Sequence, residues 1–162
     1  MKKSSNGPDT LVASELKDDS EARFWEVGES VDREPVVVRQ EDREWETWEN
    51  EDDAARRGLV YWKTLVSGDI TRSEGLTAGI AKMRSGEALR RHRHRQPEIY
   101  LILEGTGLVE IGSEARLVEA GATVFIPGGT VHSCENTGAS ELRVAYVFPA
   151  DSFQEIEYIF EE

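Results

Sequence analysis

From Gly58 onward, short runs of β-branched and aromatic residues alternate with glycine-containing turn sequences. The runs are LVYWKTLV, GLTAGIAKM, PEIYLILEG, TGLVEIG, ATVFIPG, ELRVAYVFP and EIEYIF. No long segment in this region has the 3.6-residue period of an amphipathic helix. Many short strands at nearly even spacing are typical of an antiparallel sandwich or barrel. We therefore predict an all-β fold.

The first part of the chain has a different pattern. Residues 1–34 are polar and acidic with scattered apolar positions, and we predict an N-terminal extension there, followed by a β-barrel domain over residues 35–162. The sequence PVVVR (residues 35–39) predicts a short strand at the start of this domain. Residues 41–57 are strongly charged around Trp45 and Trp48, which predicts a helical turn or a loop anchored by these aromatic residues.

Composition limits the partners and the compartment. The chain has 162 residues and a net charge of −13, and residues 1–58 alone contain 17 acidic and 9 basic residues. Such a surface repels nucleic acids and anionic membranes, so we expect neither as a partner. The chain has no apolar stretch long enough to span a bilayer, and no apolar run follows the N-terminal lysines. With Cys134 as its one cysteine, it cannot form an internal disulfide, and we predict a cytoplasmic protein.

All three histidines of the chain fall in two short segments, GEALRRHRHRQPEIY from Gly86 and PGGTVHSCEN from Pro127. Four residues of the first segment are spaced by even numbers: His92, His94, Glu98 and Tyr100. Side chains two apart in a strand share a face, so we expect all four on one face of a single strand. His132, in the second segment, is expected to close the same cavity from a later strand.

Three imidazoles and one carboxylate form a mixed nitrogen and oxygen donor set. This set suits one divalent transition metal and leaves coordination positions for water or a small-molecule substrate. Fe(II), Mn(II), Ni(II), Co(II) and Zn(II) all fit, and the residue types do not select among them.

Further reactive groups are expected on the same face. Tyr100 lies two residues beyond Glu98, and a nearby divalent cation lowers the pKa of a phenol, which makes Tyr100 a candidate general base. The alternative is that Tyr100 only walls the cavity. Four other aromatic residues are candidates for the same wall: Trp62, Tyr146, Phe148 and Tyr158. The alternative for each is packing in the core without ligand contact. An aromatic pocket of this kind favours a small cation.

Arg90 is a candidate substrate contact of another kind. It lies two residues before His92, so in a regular strand it shares the face of that ligand. We expect it near the start of the strand, where a guanidinium would contact an anionic substrate. The alternative is a solvated surface arginine.

The two histidine segments match both sequence motifs of the cupin family. Residues 86–105 follow G-x5-HxH-x3-E-x6-G, and residues 121–136 follow G-x5-PxG-x2-H-x3-N. The chain therefore resembles the cupins. This resemblance implies a double-stranded β-helix, or jelly-roll, barrel and a homodimer of paired barrels. It also implies a metal site formed by His92, His94, Glu98 and His132.

Among cupins, the chain is most similar to the small single-domain lyases that cleave dimethylsulfoniopropionate (DMSP) to acrylate and dimethyl sulfide. The shared features are HxH-x3-E-x-Y, PGG-x2-H, and the segment YVFPADSF (residues 146–153) followed by Tyr158. The resemblance implies that the metal binds the substrate carboxylate and that Tyr100 removes the adjacent proton. It further implies that Trp62, Tyr146 and Tyr158 surround the sulfonium, with Tyr158 as the second catalytic tyrosine.

Two other functions fit the same donor set. Three histidines and a glutamate around Fe(II) also describe cupin dioxygenases that use oxygen on a small substrate. A cupin that binds or senses a small molecule without catalysis is the third possibility.

Overall fold

The computed structural model describes residues 35–161, and the predicted extension over residues 1–34 lies outside the described residues. The described part contains one α-helix, α1 (Glu51–Arg57), and 3-10 turns at Gln40–Asp42 and Phe153–Glu155. Its strands are β1 (Tyr61–Val66), β2 (Thr77–Met83), β3 (Ala88–Arg93), β4 (Glu98–Glu104), β5 (Thr106–Ile111), β6 (Glu114–Glu119), β7 (Thr123–Ile126), β8 (His132–Asn136), β9 (Leu142–Phe148) and β10 (Ile159–Phe160).

The strands form two five-stranded antiparallel sheets. One sheet has the order β1-β2-β9-β4-β7, and the other has the order β10-β3-β8-β5-β6. This arrangement confirms the predicted all-β fold of two antiparallel sheets. No helix among residues 35–161 is long and apolar enough to cross a bilayer.

Alternation along the central strands forms the core. In β9, Leu142, Val144, Tyr146 and Phe148 are buried, and the residues between them are partly exposed. Removing such side chains from water stabilises the fold by about 1.5–3 kcal/mol each. Three buried polar residues, His92, Glu98 and His132, lie on β3, β4 and β8.

The single strand predicted through His92 and Tyr100 is wrong. β3 ends at Arg93, and the chain turns at Arg95 before β4 begins at Glu98 in the other sheet. The His94 carbonyl accepts a hydrogen bond from the Gly129 N–H at 2.7 Å, which holds this turn against the loop before β8. The first histidine segment therefore crosses between the two sheets.

Two further sequence predictions need correction. Residues 35–39 form no strand, because this segment pairs with no described strand. Val37 in this segment is 90% exposed. Conversely, the charged sequence EARLVE forms β6, although the prediction did not include it. Cross-strand hydrogen bonds to β5 stabilise β6, and its side chains remain mostly in solvent.

The segment before β1 contains both structures that its sequence suggested. Asn50 caps α1 by accepting a hydrogen bond from the Asp53 N–H at 2.8 Å, and α1 ends at Gly58 with a φ of 87°. The Trp48 indole donates to the Gly58 carbonyl at 2.7 Å. This bond anchors the helix against the barrel and turns Trp48 toward the interior.

Gly79 on β2 is a position where a side chain would clash with its surroundings. A Cβ there would overlap the Lys63 carbonyl oxygen and the Tyr146 hydroxyl. We expect Gly79→Ala to lower the free energy of unfolding by about 2–3 kcal/mol through overpacking, measured by urea denaturation. Gly75→Ala, where a Cβ meets nothing within 4 Å but φ is +74°, should cost about 1 kcal/mol. Equal losses in the two variants would contradict the packing argument.

Candidate metal centre and cavity

Three histidines converge in the interior between the sheets. One ring nitrogen from each of His92, His94 and His132 lies within 4.8 Å of the others, and all three residues are buried. His92 on β3 pairs directly with His132 on β8, so the two rings share the inward face. His94 follows β3, at the turn toward the other sheet.

Hydrogen bonds orient each of the three rings. The Nδ1–H of every histidine donates to a backbone carbonyl two residues away along the chain. The acceptors are Arg90 O for His92 (2.7 Å), Gln96 O for His94 (2.8 Å) and Thr130 O for His132 (2.8 Å). These bonds select the tautomer that leaves a lone pair on Nε2, which is the usual arrangement around a metal-binding histidine.

Glu98 completes the cluster from the first position of β4. Its Oε2 lies 3.2 Å from His94 Nε2 and 3.4 Å from His132 Nε2, and its side chain is buried. With the Nδ1–H atoms engaged, these contacts bring nitrogen lone pairs against a carboxylate. Such an arrangement is repulsive unless a cation lies between the groups.

Two of the Nε2 atoms, in His92 and His132, are buried without any hydrogen-bond partner. An unsatisfied buried polar atom costs about 1–3 kcal/mol, and a metal ion removes this cost by accepting the lone pair. The cluster therefore fits a divalent metal ion held by the three histidines. The role of Glu98 as a fourth ligand stays a prediction.

Electrostatics also favour metal binding at His92. Burial, followed by the charge of the neighbouring His132, lowers the pKa of His92 to about 3. The imidazole is therefore neutral across the physiological pH range, as a metal ligand must be.

A cavity of ≈ 120 Å³ adjoins the cluster. Six of the residues that line it are aromatic: Trp48, Trp62, Tyr100, Tyr146, Phe153 and Tyr158. The structure thus brings together at one cavity four of the aromatic residues chosen from the sequence. Phe148, the fifth, packs edge-on against His94 with ring centroids 5.0 Å apart.

Tyr100 is buried beside Glu98, and burial, followed by the charge of Glu98, raises the pKa of its phenol. This direction is opposite to the one expected from a cation alone. A phenolate at Tyr100 therefore requires a positive charge large enough to outweigh both effects.

The side chains of Tyr146 and Tyr158 are held in place by different contacts. The Tyr158 ring stacks on His92, with centroids 5.0 Å apart and an interplanar angle of 28°, and burial raises its pKa. The Tyr146 hydroxyl lies 3.2 Å from the Thr64 hydroxyl and donates to the Lys63 carbonyl at 3.5 Å. Tyr146 is therefore held by the sheet, whereas Tyr158 is held by the cluster.

Arg90 does not reach the cavity. The pairing of β3 with β8 shifts register between Leu89 and His92, so both of these side chains point inward although they are three residues apart. Arg90 consequently lies outside and is exposed. The shared face expected for Arg90 and His92 assumed a regular strand, and the bulge removes that regularity.

Sequence reasoning did not assign several cavity residues to the site. Trp48 was predicted only as an anchor, because its charged surroundings gave no strand period that would point it inward. Phe153 and Leu89 also line the cavity. Cys134 lines it too, in agreement with its spacing of two residues from His132, which suggested that it faces the same cavity. Burial raises the pKa of its thiol to about 12.

Comparisons with known proteins agree with this geometry. The cupin domain family matches residues 79–148. The DMSP lyase DddW of Ruegeria pomeroyi is 42% identical over 103 residues, which is 64% of this chain and 67% of that protein. The oxalate-binding protein of Thermotoga maritima is 30% identical over 88 residues, covering 54% of this chain and 73% of that protein.

Among solved structures, a predicted oxalate decarboxylase from Thermotoga maritima superposes with a TM-score of 0.61. It is 28% identical, and the match covers 71% of this chain and 99% of that one. The polyketide cyclase RemF of Streptomyces resistomycificus superposes with a TM-score of 0.65 at 14% identity, which reflects the fold alone.

The metal cluster predicts a specific loss in His132→Ala. We expect the variant to stay folded and to bind a divalent metal at least about tenfold more weakly than the native chain, because one of three imidazoles is removed. Elemental analysis after dialysis measures the metal, and circular dichroism measures the fold. Ser133→Ala, which changes the residue next to His132 in the sequence, is the control and should keep one equivalent of metal. Full metal occupancy in His132→Ala would contradict the assignment.

Proposed function

Because the chain belongs to the cupin family, we propose that it is a metal-dependent lyase that cleaves DMSP to acrylate and dimethyl sulfide. The observation that carries this proposal is the 42% identity to the DMSP lyase of Ruegeria pomeroyi over 103 residues. The cavity supports it, because a metal-binding cluster, a buried tyrosine and an aromatic wall meet there.

The charge distribution of the cavity matches the two ends of this substrate. DMSP carries one carboxylate and one sulfonium. The carboxylate is directed at the histidine cluster, where a bound divalent metal supplies the positive charge that stabilises it during the reaction. The sulfonium faces Trp62, Tyr146 and Tyr158, whose rings attract a desolvated cation by about 2 kcal/mol.

Proton abstraction is assigned to Tyr100. Its phenolate oxygen takes the proton from the carbon next to the substrate carboxylate. The electron pair of that C–H bond forms the double bond of acrylate, and the bond from the β carbon to sulfur breaks. Dimethyl sulfide leaves as a neutral molecule, and the proton stays on the Tyr100 oxygen until solvent removes it.

The same wall makes a different substrate class less favourable. Two of the similar proteins are named for oxalate, which is a dianion. Glu98 is the one charged residue among those that line the cavity. A second carboxylate would therefore face aromatic and aliphatic side chains without a counter-charge. A substrate with one carboxylate and a cationic or apolar body fits this wall better.

The remaining details of the proposal rest on the sequence. The choice among Fe(II), Mn(II), Ni(II), Co(II) and Zn(II) stays open. Assembly as a homodimer and a cytoplasmic location stay predictions.

Removal of the Tyr100 hydroxyl tests the base. In the metal-loaded protein we expect Tyr100→Phe to lower kcat for DMSP by about 10²–10⁴-fold, because general base catalysis is lost. Dimethyl sulfide in the headspace measures the reaction, and elemental analysis checks that metal content is unchanged. Tyr61→Phe, on the same barrel but outside the cavity, should keep native activity. Activity above half of native in Tyr100→Phe would exclude this tyrosine as the base.

The aromatic wall predicts a separate effect on substrate binding. Trp62→Leu should raise KM for DMSP by about 5–30-fold, since a cation–π contact of about 1–2 kcal/mol is lost. Steady-state kinetics with the same metal measure it. Trp45→Leu, which removes an indole outside the cavity, is the matched control and should leave KM near its native value. An unchanged KM in Trp62→Leu would place the sulfonium elsewhere.

A further inference from the structure

A surface groove lies between α1 and β3, on the outside of the barrel. It is lined by residues of α1, β3, β8 and β10: Ala55, Arg56, Ala88, Leu89, Arg90, Arg91, Ser133, Glu135, Phe160 and Glu161. β10 pairs only with His92 and Arg93 of β3. Among residues 35–161, no strand therefore pairs with the first half of β3 on that side, and the groove occupies this position.

The groove and the internal cavity share one wall residue, Leu89. Leu89 pairs with Cys134 of β8, and both side chains line the cavity. Beside Leu89, Trp48 on the cavity side contacts Phe160 on the groove side, with ring centroids 5.9 Å apart. The partition between solvent and cavity is therefore only one side chain thick at this point.

Three arginines and two glutamates line the groove, so its lining has a small excess of positive charge. Arg56 and Arg90 are exposed, and the guanidinium of neither makes an ion pair or a hydrogen bond with another residue of the described range 35–161. Arg91 is neutralised by ion pairs to Glu110 at 3.1 Å and Glu161 at 2.9 Å. Glu135 is the opposing charge at the groove.

Arg57 adds a fourth guanidinium at the partition itself. It lies 5.0 Å from the ring centroid of Trp48 and 5.6 Å from that of Phe160, and Asp53 pairs with it at 3.1 Å. This stack holds the two rings together, and Leu89 is the residue of the partition that faces both the groove and the cavity.

We propose that this groove is the mouth of the cavity, where Arg56 and Arg90 attract the substrate carboxylate and the Leu89 side chain acts as the gate. The identity of the substrate rests on the proposed function. The access route itself applies to any small monocarboxylate that reaches the histidine cluster. A chain with a net charge of −13 repels anions, so a local pair of free arginines directs them to one place. In this proposal Arg90 contacts the substrate at the groove, before the substrate enters the cavity. The sequence had suggested a contact inside the cavity.

Binding of propionate to the cobalt-loaded protein tests the route without any turnover. The visible spectrum of Co(II) changes when a carboxylate reaches the cluster, and stopped-flow absorbance gives the association and dissociation rates. Imidazole at pH 8, which is mostly uncharged, is the matched neutral probe. Native dimethyl sulfide release is measured separately, so failure of the lyase assignment and failure of the access route are distinguishable.

The two charge variants are expected to change the association rate of propionate in opposite directions. The double variant Arg56→Gln/Arg90→Gln should lower the association rate of propionate by about tenfold at low salt, the lower end of electrostatic steering effects. Glu135→Gln should raise that rate. Both should leave imidazole association and propionate dissociation unchanged. Arg116→Gln, which removes one positive charge on β6 outside the groove, should behave as the native protein.

The gate variants test the path itself. Leu89→Trp should slow association of both probes by about tenfold or more, because the larger ring blocks the partition. Leu117→Trp, which adds the same ring at a position that is 79% exposed, is the control and should change neither rate. Leu89→Met keeps the volume and should keep native rates, which separates blockage from a folding defect.

Two results would overturn the proposal. Propionate association that is equal in Arg56→Gln/Arg90→Gln and Arg116→Gln would show that the arginines do not attract the ligand. Native rates for both probes in Leu89→Trp, with cobalt content unchanged, would show that ligands enter elsewhere.

Discussion

The structure depends on bringing three nitrogen lone pairs and one carboxylate together inside an apolar barrel. His92, His94 and His132 each use Nδ1–H on a local carbonyl, so their Nε2 atoms are left to face one another and Glu98. Without a cation this arrangement is repulsive and leaves buried atoms unsatisfied. With a divalent cation the same atoms are a preformed donor set. The fold therefore positions a cation-binding site in advance. The free energy needed to bring the four donor groups together comes from the folding of the barrel, before any metal ion binds.

The sequence predicted the ligands better than the path of the chain between them. The spacing of His92, His94 and Glu98 is a local property, and it identifies the donors whether they lie on one strand or two. The turn after His94 depends on contact with the loop before β8, a tertiary interaction that no local period encodes. The same limit explains Arg90, because the bulge beside it arises from pairing with β8. Alternation predicts a face only while the register is regular.

The cavity wall illustrates how far pattern reasoning extends. Tyr100 and Tyr146 could be placed inward because they lie on strands with clear alternation. Trp48 lies in a charged segment next to a short helix, and its inward direction depends on a hydrogen bond to the Gly58 carbonyl. Its contact with Phe160 forms part of the partition from solvent. The segment before the barrel is therefore part of the site, because it supplies a wall that the ten strands leave open.

The central claim is that the three imidazoles bind one ion together, and X-ray absorption of the zinc-loaded protein tests it most directly. The extended fine structure distinguishes imidazole from other ligands by scattering from the outer ring atoms. The account predicts three imidazole nitrogens at about 2.0–2.1 Å, with oxygen in the remaining positions. A spectrum with one imidazole or none, in protein that binds a full equivalent of zinc, would contradict it.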